Sequence, residues 1–321
     1  MRRSLAALLV LLCLSPGLLW RDPPFRDNGP QPLHIRPLSL PPETRLSSRV
    51  TVAGVWQLRS ESTSFGGYSS LMVLPKGQLL AISDRGRFLR FGMPTNPPVR
   101  AMIGPVAEGY DVEKRLADAE SATRDPVSGA IWLGYEGSNS IRRYGPDLLY
   151  SEAVQPAEMR KWPSNRGPES LVRLSDGRFI VLSEALDDGE PPFTQGLLFP
   201  GDPVEGAVPI RFRFVPPHGF RPTDMAQLPN GRVAILLRRL RFGLPWLASQ
   251  LVIADPETIA SGQVWEWQPL TQIGSPVPPE NYEGLAVEPG ENGVVRLWLI
   301  SDDNNNTVLQ RTLVVALDWK P

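Results

Sequence analysis

Cysteine and histidine are nearly absent from this 321-residue chain, which has one Cys and two His. The cysteine, Cys13, lies in an N-terminal apolar run, so the body can hold neither a disulfide framework nor a thiolate metal site. With only His34 and His218, chemistry that needs several imidazoles around zinc is excluded. Charge of one sign is lacking too. The net charge is −1, the pI is near 6.2, and the arginines are scattered among acids, which leaves no footprint for a nucleic-acid backbone. After residue 20 no stretch keeps a 3.6-residue apolar period for three turns, so little helix is expected. A G-x-S-x-G nucleophile elbow is missing as well. His218, in PPHGFRP, therefore has no activated serine to serve, and a serine esterase of that design is disfavoured.

Proline and glycine, by contrast, are plentiful at 35 and 28, as suits an all-β chain that turns often. At the start, Arg2 and Arg3 precede an apolar stretch from Leu5 to Trp20. That stretch is short of the roughly 20 apolar residues that span a bilayer, and residues 1–20 read as a signal peptide. The expected location is exported and periplasmic. An uncleaved N-terminal anchor is the alternative, and it would be the chain's one tie to a membrane. Residues 21–48 are proline-rich and polar and read as a linker, with the folded domain at 49–321.

Within that domain one pattern recurs five times: an apolar strand, a Gly-containing turn, then a second apolar strand. The copies are YSSLMVLPKGQLLAISDRG from Tyr68, AESATRDPVSGAIWLGYEG from Ala119, PESLVRLSDGRFIVLSEAL from Pro168, TDMAQLPNGRVAILLRRLR from Thr223 and YEGLAVEPGENGVVRLWLISDDN from Tyr282. The second strands are almost continuously apolar, as strands packed on both faces are. Aligned, the copies place Ser69, Glu120, Glu169, Asp224 and Glu283 at one position, at intervals of 51, 49, 55 and 59 residues. Four-stranded propeller blades repeat at about that length. The 38 residues after Glu283 and the 19 from Val50 to Ser69 make one further interval of that size. Val50–Ser60 is thus expected to complete the last blade. The reading is an all-β, five-bladed propeller; six blades, or an unclosed sandwich, are the alternatives.

In a propeller the innermost strands line a channel. Glu120, Glu169, Asp224 and Glu283 would then converge with Ser69, and crowded carboxylates bind protons or a hard cation. Oxygen ligands suit Ca²⁺. These four acids are the candidate metal ligands, with Glu120, Glu169 and Glu283 also candidate catalytic groups. A second tier at the far end of the next strand holds Asp84-Arg85, Glu136, Glu184, Arg238 and Asp302-Asp303-Asn304. Arg85, Arg166 and Arg238, with Ser69, are the candidate substrate contacts, since guanidinium pairs bidentately with phosphate. Each acid has an ordinary alternative, which is to satisfy backbone amides at a strand entrance.

The segments FGGYSSLMVLPKGQLLAISDRGRF, DAESATRDP, NRGPESLVRLSDGRFIVLSE, NYEGLAVEPG and SDDNNNTVLQRTLVVALD resemble the esterase-like phytase family of bacterial exported proteins. The second repeat departs from the pattern, with Ser121 where a glycine is usual. The resemblance implies a propeller with phosphoesterase-like or esterase-like activity. The expected function is a hydrolase of phosphate or carboxylic esters, monomeric and acting on a small-molecule ester or phosphate, with no nucleic-acid partner. A non-enzymatic ligand-binding or scaffold propeller and a propeller lactonase are the alternatives.

Overall fold

The computed structural model describes residues 31–95, 101–106, 118–240, 246–304 and 309–321. Strands dominate it. β1 (Leu33–Pro37), β2 (Arg45–Ser47) and β3 (Val50–Ser60) come first. Four sheets of four consecutive strands follow, each ordered outward from the centre. Blade 1 is β4 (Tyr68–Leu74), β5 (Gln78–Ser83), β6 (Arg87–Gly92) and β7 (Met102–Pro105). Blade 2 is β8 (Ala119–Arg124), β9 (Ile131–Tyr135), β10 (Ser140–Tyr144) and β11 (Tyr150–Val154). Blade 3 is β12 (Pro168–Arg173), β13 (Phe179–Asp187), β14 (Phe193–Phe199) and β15 (Ile210–Phe214). Blade 4 is β16 (Arg221–Gln227), β17 (Val233–Leu240), β18 (Leu247–Ala254) and β19 (Trp267–Ile273). Blade 5 runs β20 (Asn281–Pro289), β21 (Val295–Asp302), β22 (Leu313–Trp319) and then β3, which pairs antiparallel with β22 from Leu313↔Gln57 to Trp319↔Val50. The chain is a five-bladed β-propeller, closed where the sequence arithmetic placed the joint.

Its core is not one mass but five, each lying between neighbouring blades. On β5, Leu79 and Ala81 join the cluster shared with blade 5, while Leu80 and Ile82 join the one shared with blade 2. On β17, Val233, Ile235 and Leu237 face blade 3, whereas Ala234 and Leu236 face blade 5. The period-two side chains of a strand point to opposite faces, so a strand covered on both sides needs apolar residues throughout. That is why LLAI and VAILL show no polar alternation.

The residues read as a linker require a correction. β1 adds to the outer edge of β3, from Leu33↔Ser60 to Pro37↔Trp56, and β2 pairs with the start of β3. Leu38, Leu40 and Leu46 pack on the core between blades 4 and 5. Proline is tolerated here because an edge strand lacks a second ladder to satisfy. The N-terminal segment 1–20 and residues 21–30 lie outside the described residues.

The connecting turns are sharp. Glycine takes positive φ in all five β-hairpin turns between the first and second strands, at Gly77, Gly129, Gly177, Gly231 and Gly293. Only Lys76 and Asn292 join their glycines there. The Asp176 and Asn230 turns instead close through Leu174–Arg178 and Leu228–Arg232 backbone bonds of 2.8 Å, with one left-handed residue apiece.

Candidate functional site at the channel mouth

Each innermost strand carries the same irregularity near its start. The ladder to the second strand slips between Tyr68 and Ser70, Ala119 and Ser121, Pro168 and Ser170, Pro222 and Asp224, and Tyr282 and Gly284. A bulge leaves one extra residue out of the ladder and re-aims its side chain. The five extra residues are Ser69, Glu120, Glu169, Thr223 and Glu283. The innermost strands touch one another in cyclic order, so these positions ring the axis.

This ring corrects the sequence alignment by one residue in blade 4. Thr223 holds the bulge, and Asp224 occupies the next position, equivalent to Ser70, Ser121, Ser170 and Gly284. Asp224 is fully buried, and its two oxygens accept the Met225 and Leu285 amides at 2.8 and 2.7 Å. Burial raises its pKa well above the usual carboxylate range, and the amide bonds pull it back. It ties blade 4 to blade 5 and is no member of the acid ring. Ser69 is likewise structural in its contacts: its hydroxyl donates to the Ala119 carbonyl at 2.6 Å.

The three glutamates do come together. Burial, reinforced by Glu169, Glu283, Asp84 and Asp118, pushes the Glu120 carboxyl well above its ordinary range. Glu169 is raised well above its ordinary range by burial and then by Glu184, with Arg238 opposing. Glu169 is 8 % exposed and makes no side-chain hydrogen bond or ion pair among the described residues. Glu283 is just as buried but is held, ion-paired with Arg238 Nη1 at 2.5 Å and accepting from Asn281 Nδ2 at 2.9 Å. Its carboxyl is raised by burial, with Arg238 and Asn281 opposing.

The second tier lies immediately beside the first. Asp84 and Glu136 follow the second strands and Glu184 lies within β13, and they donate backbone N–H to Gly67, Asp118 and Gly167. Arg238 pairs with Arg221 and Asp302 with Asn281 at the same position in blades 4 and 5. Among the described residues, two groups of carboxylates have oxygens within 4.8 Å of one another: Asp118, Glu120 and Glu136, and Glu136, Glu169 and Glu184. Glu136 belongs to both, and burial, Asp118 and Glu184 push it up to about 7. Asp302 is pushed well above the ordinary range by burial, Glu283 and Asp84. These sets of hard oxygens match the donor preference of Ca²⁺ or Mg²⁺.

Arg238 is the counter-charge of the mouth. Besides Glu283 it reaches Asn281 Oδ1 at 2.9 Å and Glu184 Oε1 at 3.3 Å. Burial alone would lower its pKa, but Glu283, Glu169, Glu184 and Glu120 together raise it. Of the other arginines named from sequence, Arg85 follows β5 beside Asp84 at the mouth, half-buried. Arg166 is exposed on the connection between β11 and β12, and its side chain makes no ion pair among the described residues. Asp303 accepts from the Gly67 amide and the Thr312 hydroxyl, a structural role. Sequence reasoning passed over Asp118 and Arg221. Each sits one residue before an innermost strand or at its first residue, a position with no motif of its own.

Comparison with curated protein sequences finds no match. Among solved structures, a Myxococcus xanthus glutaminyl cyclase is similar over 80 % of this chain and 92 % of its own, at 13 % identity and a TM-score of 0.45. A Kuenenia stuttgartiensis hydrazine synthase is similar over 76 % and 79 %, at 11 % identity and a TM-score of 0.40. The phytase-like family model, described as the esterase-like activity of phytase, matches residues 63–305, a span that contains every mouth residue described above. The chain belongs to the phytase-like family.

Proposed function

We propose that this propeller is a hydrolase of phosphate or carboxylic esters that works with a divalent cation, Ca²⁺ in the first instance, at the channel mouth. The observation that carries the reading is Glu169, a buried carboxyl without a side-chain hydrogen bond or ion pair among the described residues, set among the oxygens of Glu136 and Glu184. Burial and the neighbouring acids make Glu169 costly to ionise, and a divalent cation at these oxygens would offset that cost. Glu136, Glu169 and Glu184 would hold the cation, or Asp118, Glu120 and Glu136 would. When bound it would neutralise the substrate's charge and polarise a water.

The chain's own groups divide the remaining work. Glu283, fixed by Arg238 and Asn281, is a rigid anionic wall and not a mobile base. Glu120 keeps a raised affinity for protons. Its carboxylate oxygen is therefore suited to take one from an attacking water and return it to the leaving group. Arg166, exposed, and Arg85, half-buried, are proposed to meet the substrate's periphery. The setting is proposed to be outside the cytoplasm, on the strength of Arg2, Arg3 and the apolar run from Leu5 to Trp20.

The test is a hydrolase screen on Ca²⁺-loaded protein with phytate, p-nitrophenyl phosphate, short acyl esters and sugar lactones. Turnover of one class that falls at least about a hundredfold in Glu169→Gln, with the fold intact, supports the reading. Absence of turnover on all four sinks it.

A further inference from the structure

In four blades the first residue pair at the mouth is acidic or neutral: Gly67 with Asp84, Asp118 with Glu136, Gly167 with Glu184, Asn281 with Asp302. Blade 4 alone sets two cations face to face, Arg221 opposite Arg238. Like charges directly across a ladder repel, and the pair persists only with an anion between them. That anion is the Glu184 carboxylate. Arg238 Nη2 stands 3.3 Å from its Oε1, and Arg221 Nη1 stands 3.7 Å from its Oε2. Neither contact is tight. Arg221 Nη1 also reaches the Glu184 carbonyl, at 3.5 Å.

Glu184 is shared property. The same carboxylate belongs to the group with Glu136 and Glu169. Arg238 would not follow it away, because Nη1 is anchored by Glu283 and Asn281 at 2.5 and 2.9 Å. Both guanidiniums are solvent-accessible, with side chains 30 and 27 % exposed, while Glu184 is 14 % exposed. The anchored, forked donors are therefore within reach of an incoming ligand.

We propose that Arg221 and Arg238 form the anion-binding arm of the site, that the Glu184 carboxylate occupies it at rest, and that Glu184 leaves for the divalent cation, so the substrate's anionic group binds only after the cation. The inference rests on the cation of the proposed function, and it adds Arg221 as a specificity residue and an order of binding. The chemistry recognised is a planar or tetrahedral oxyanion, phosphate or carboxylate.

The experiment is calorimetric titration of the full chain with inorganic phosphate, and in parallel with acetate, with Ca²⁺ or with chelator. The two ligands distinguish a phosphate from a carboxylate substrate. Wild type is expected to bind the anion about tenfold or more tightly with Ca²⁺ than without. Glu184→Gln, checked for fold by circular dichroism, is expected to bind it in chelator about as wild type does with Ca²⁺. Glu169→Gln alters the same group of acids, but Glu169 makes no ion pair with either arginine among the described residues, and the variant should show no such gain in chelator. Adding Arg221→Gln to Glu184→Gln should abolish the gain. Equal gains in the two glutamate variants, or none in Glu184→Gln, overturn the proposal. Should Glu184→Gln not fold, wild-type anion affinity that ignores Ca²⁺ overturns it as well. Anion binding as described without turnover would sink the hydrolase reading and leave this one standing.

Discussion

Blade 2 and blade 4 occupy neighbouring sectors around blade 3 and are built on the same two-strand frame, yet they bring opposite charge to the channel. At the three mouth positions blade 2 supplies Asp118, Glu120 and Glu136, all carboxylates. Blade 4 supplies Arg221, Thr223 and Arg238. Both present bulged innermost strands and apolar second strands, so the backbone requirement is identical and the side chains at those positions are free to vary. The lesson is that the propeller fixes where a side chain goes and leaves its charge to function. One blade gathers carboxyl groups; the other supplies the guanidinium that pairs with Glu283 and Glu184.

The comparison can be broken from the blade 4 side first. Arg238→Met removes the partner of the buried Glu283 and the partly buried Glu184, and cation-free protein should lose roughly 3 kcal/mol in urea denaturation at neutral pH. Part of that loss should be recovered on adding Ca²⁺. A variant as stable as wild type would show that the mouth acids carry no charge in need of compensation. Next comes Asp224→Ala, which strands the Met225 and Leu285 amides and should cost about 2 kcal/mol while leaving Ca²⁺ affinity unchanged. A large loss of Ca²⁺ affinity there would restore Asp224 to the metal site.

Blade 2 should respond in the opposite sense. Glu136 binds its proton more tightly folded than unfolded, its pKa rising from 4.5 to about 7. The folded state holds the extra proton between those values, so the contribution of Glu136 to stability is highest below pH 4.5 and declines as pH climbs to about 7. In chelator, Glu136→Gln should therefore gain on wild type as pH is raised through that window, measured by urea midpoints. A variant that instead loses ground to wild type as pH rises would reverse the assignment. The smallest effect belongs to Arg166→Ala. The residue is exposed and unpaired, and stability should change by less than about 0.5 kcal/mol while anion affinity alone weakens.

The fold was largely readable in advance, and particular segments explain why. VAILL and FIVLS announce strands covered on both sides, Asn292-Gly293 a tight turn, and VTVAGVWQLRS a missing fourth strand. Each of these is a local pattern whose meaning does not depend on distant residues. The site was only partly readable. Glu120, Glu169 and Glu283 share a repeat position near the start of similar strands at similar spacing, and the closed ring brings them within electrostatic reach of one another. Asp224 was not, since a bulge shifts register by one residue and nothing in TDMAQLP says whether Thr223 or Asp224 is the extra one. The edge strand Leu33–Pro37 was hidden by Pro37 and the prolines that flank it, which mark linkers as readily as sheet edges.

By itself, the sequence determined a strand-rich chain of five repeated hairpins with a closing strand from the N-terminal side, because hydrophobic period and turn chemistry act between near neighbours. Only the tertiary structure decided that Arg221 and Arg238 confront Glu184 from the next blade, and that Glu136 stands between two groups of acids. Those meetings join residues tens of positions apart. A one-residue slip of the ladder would send each side chain to the other face, so they follow from the closed ring and its bulges.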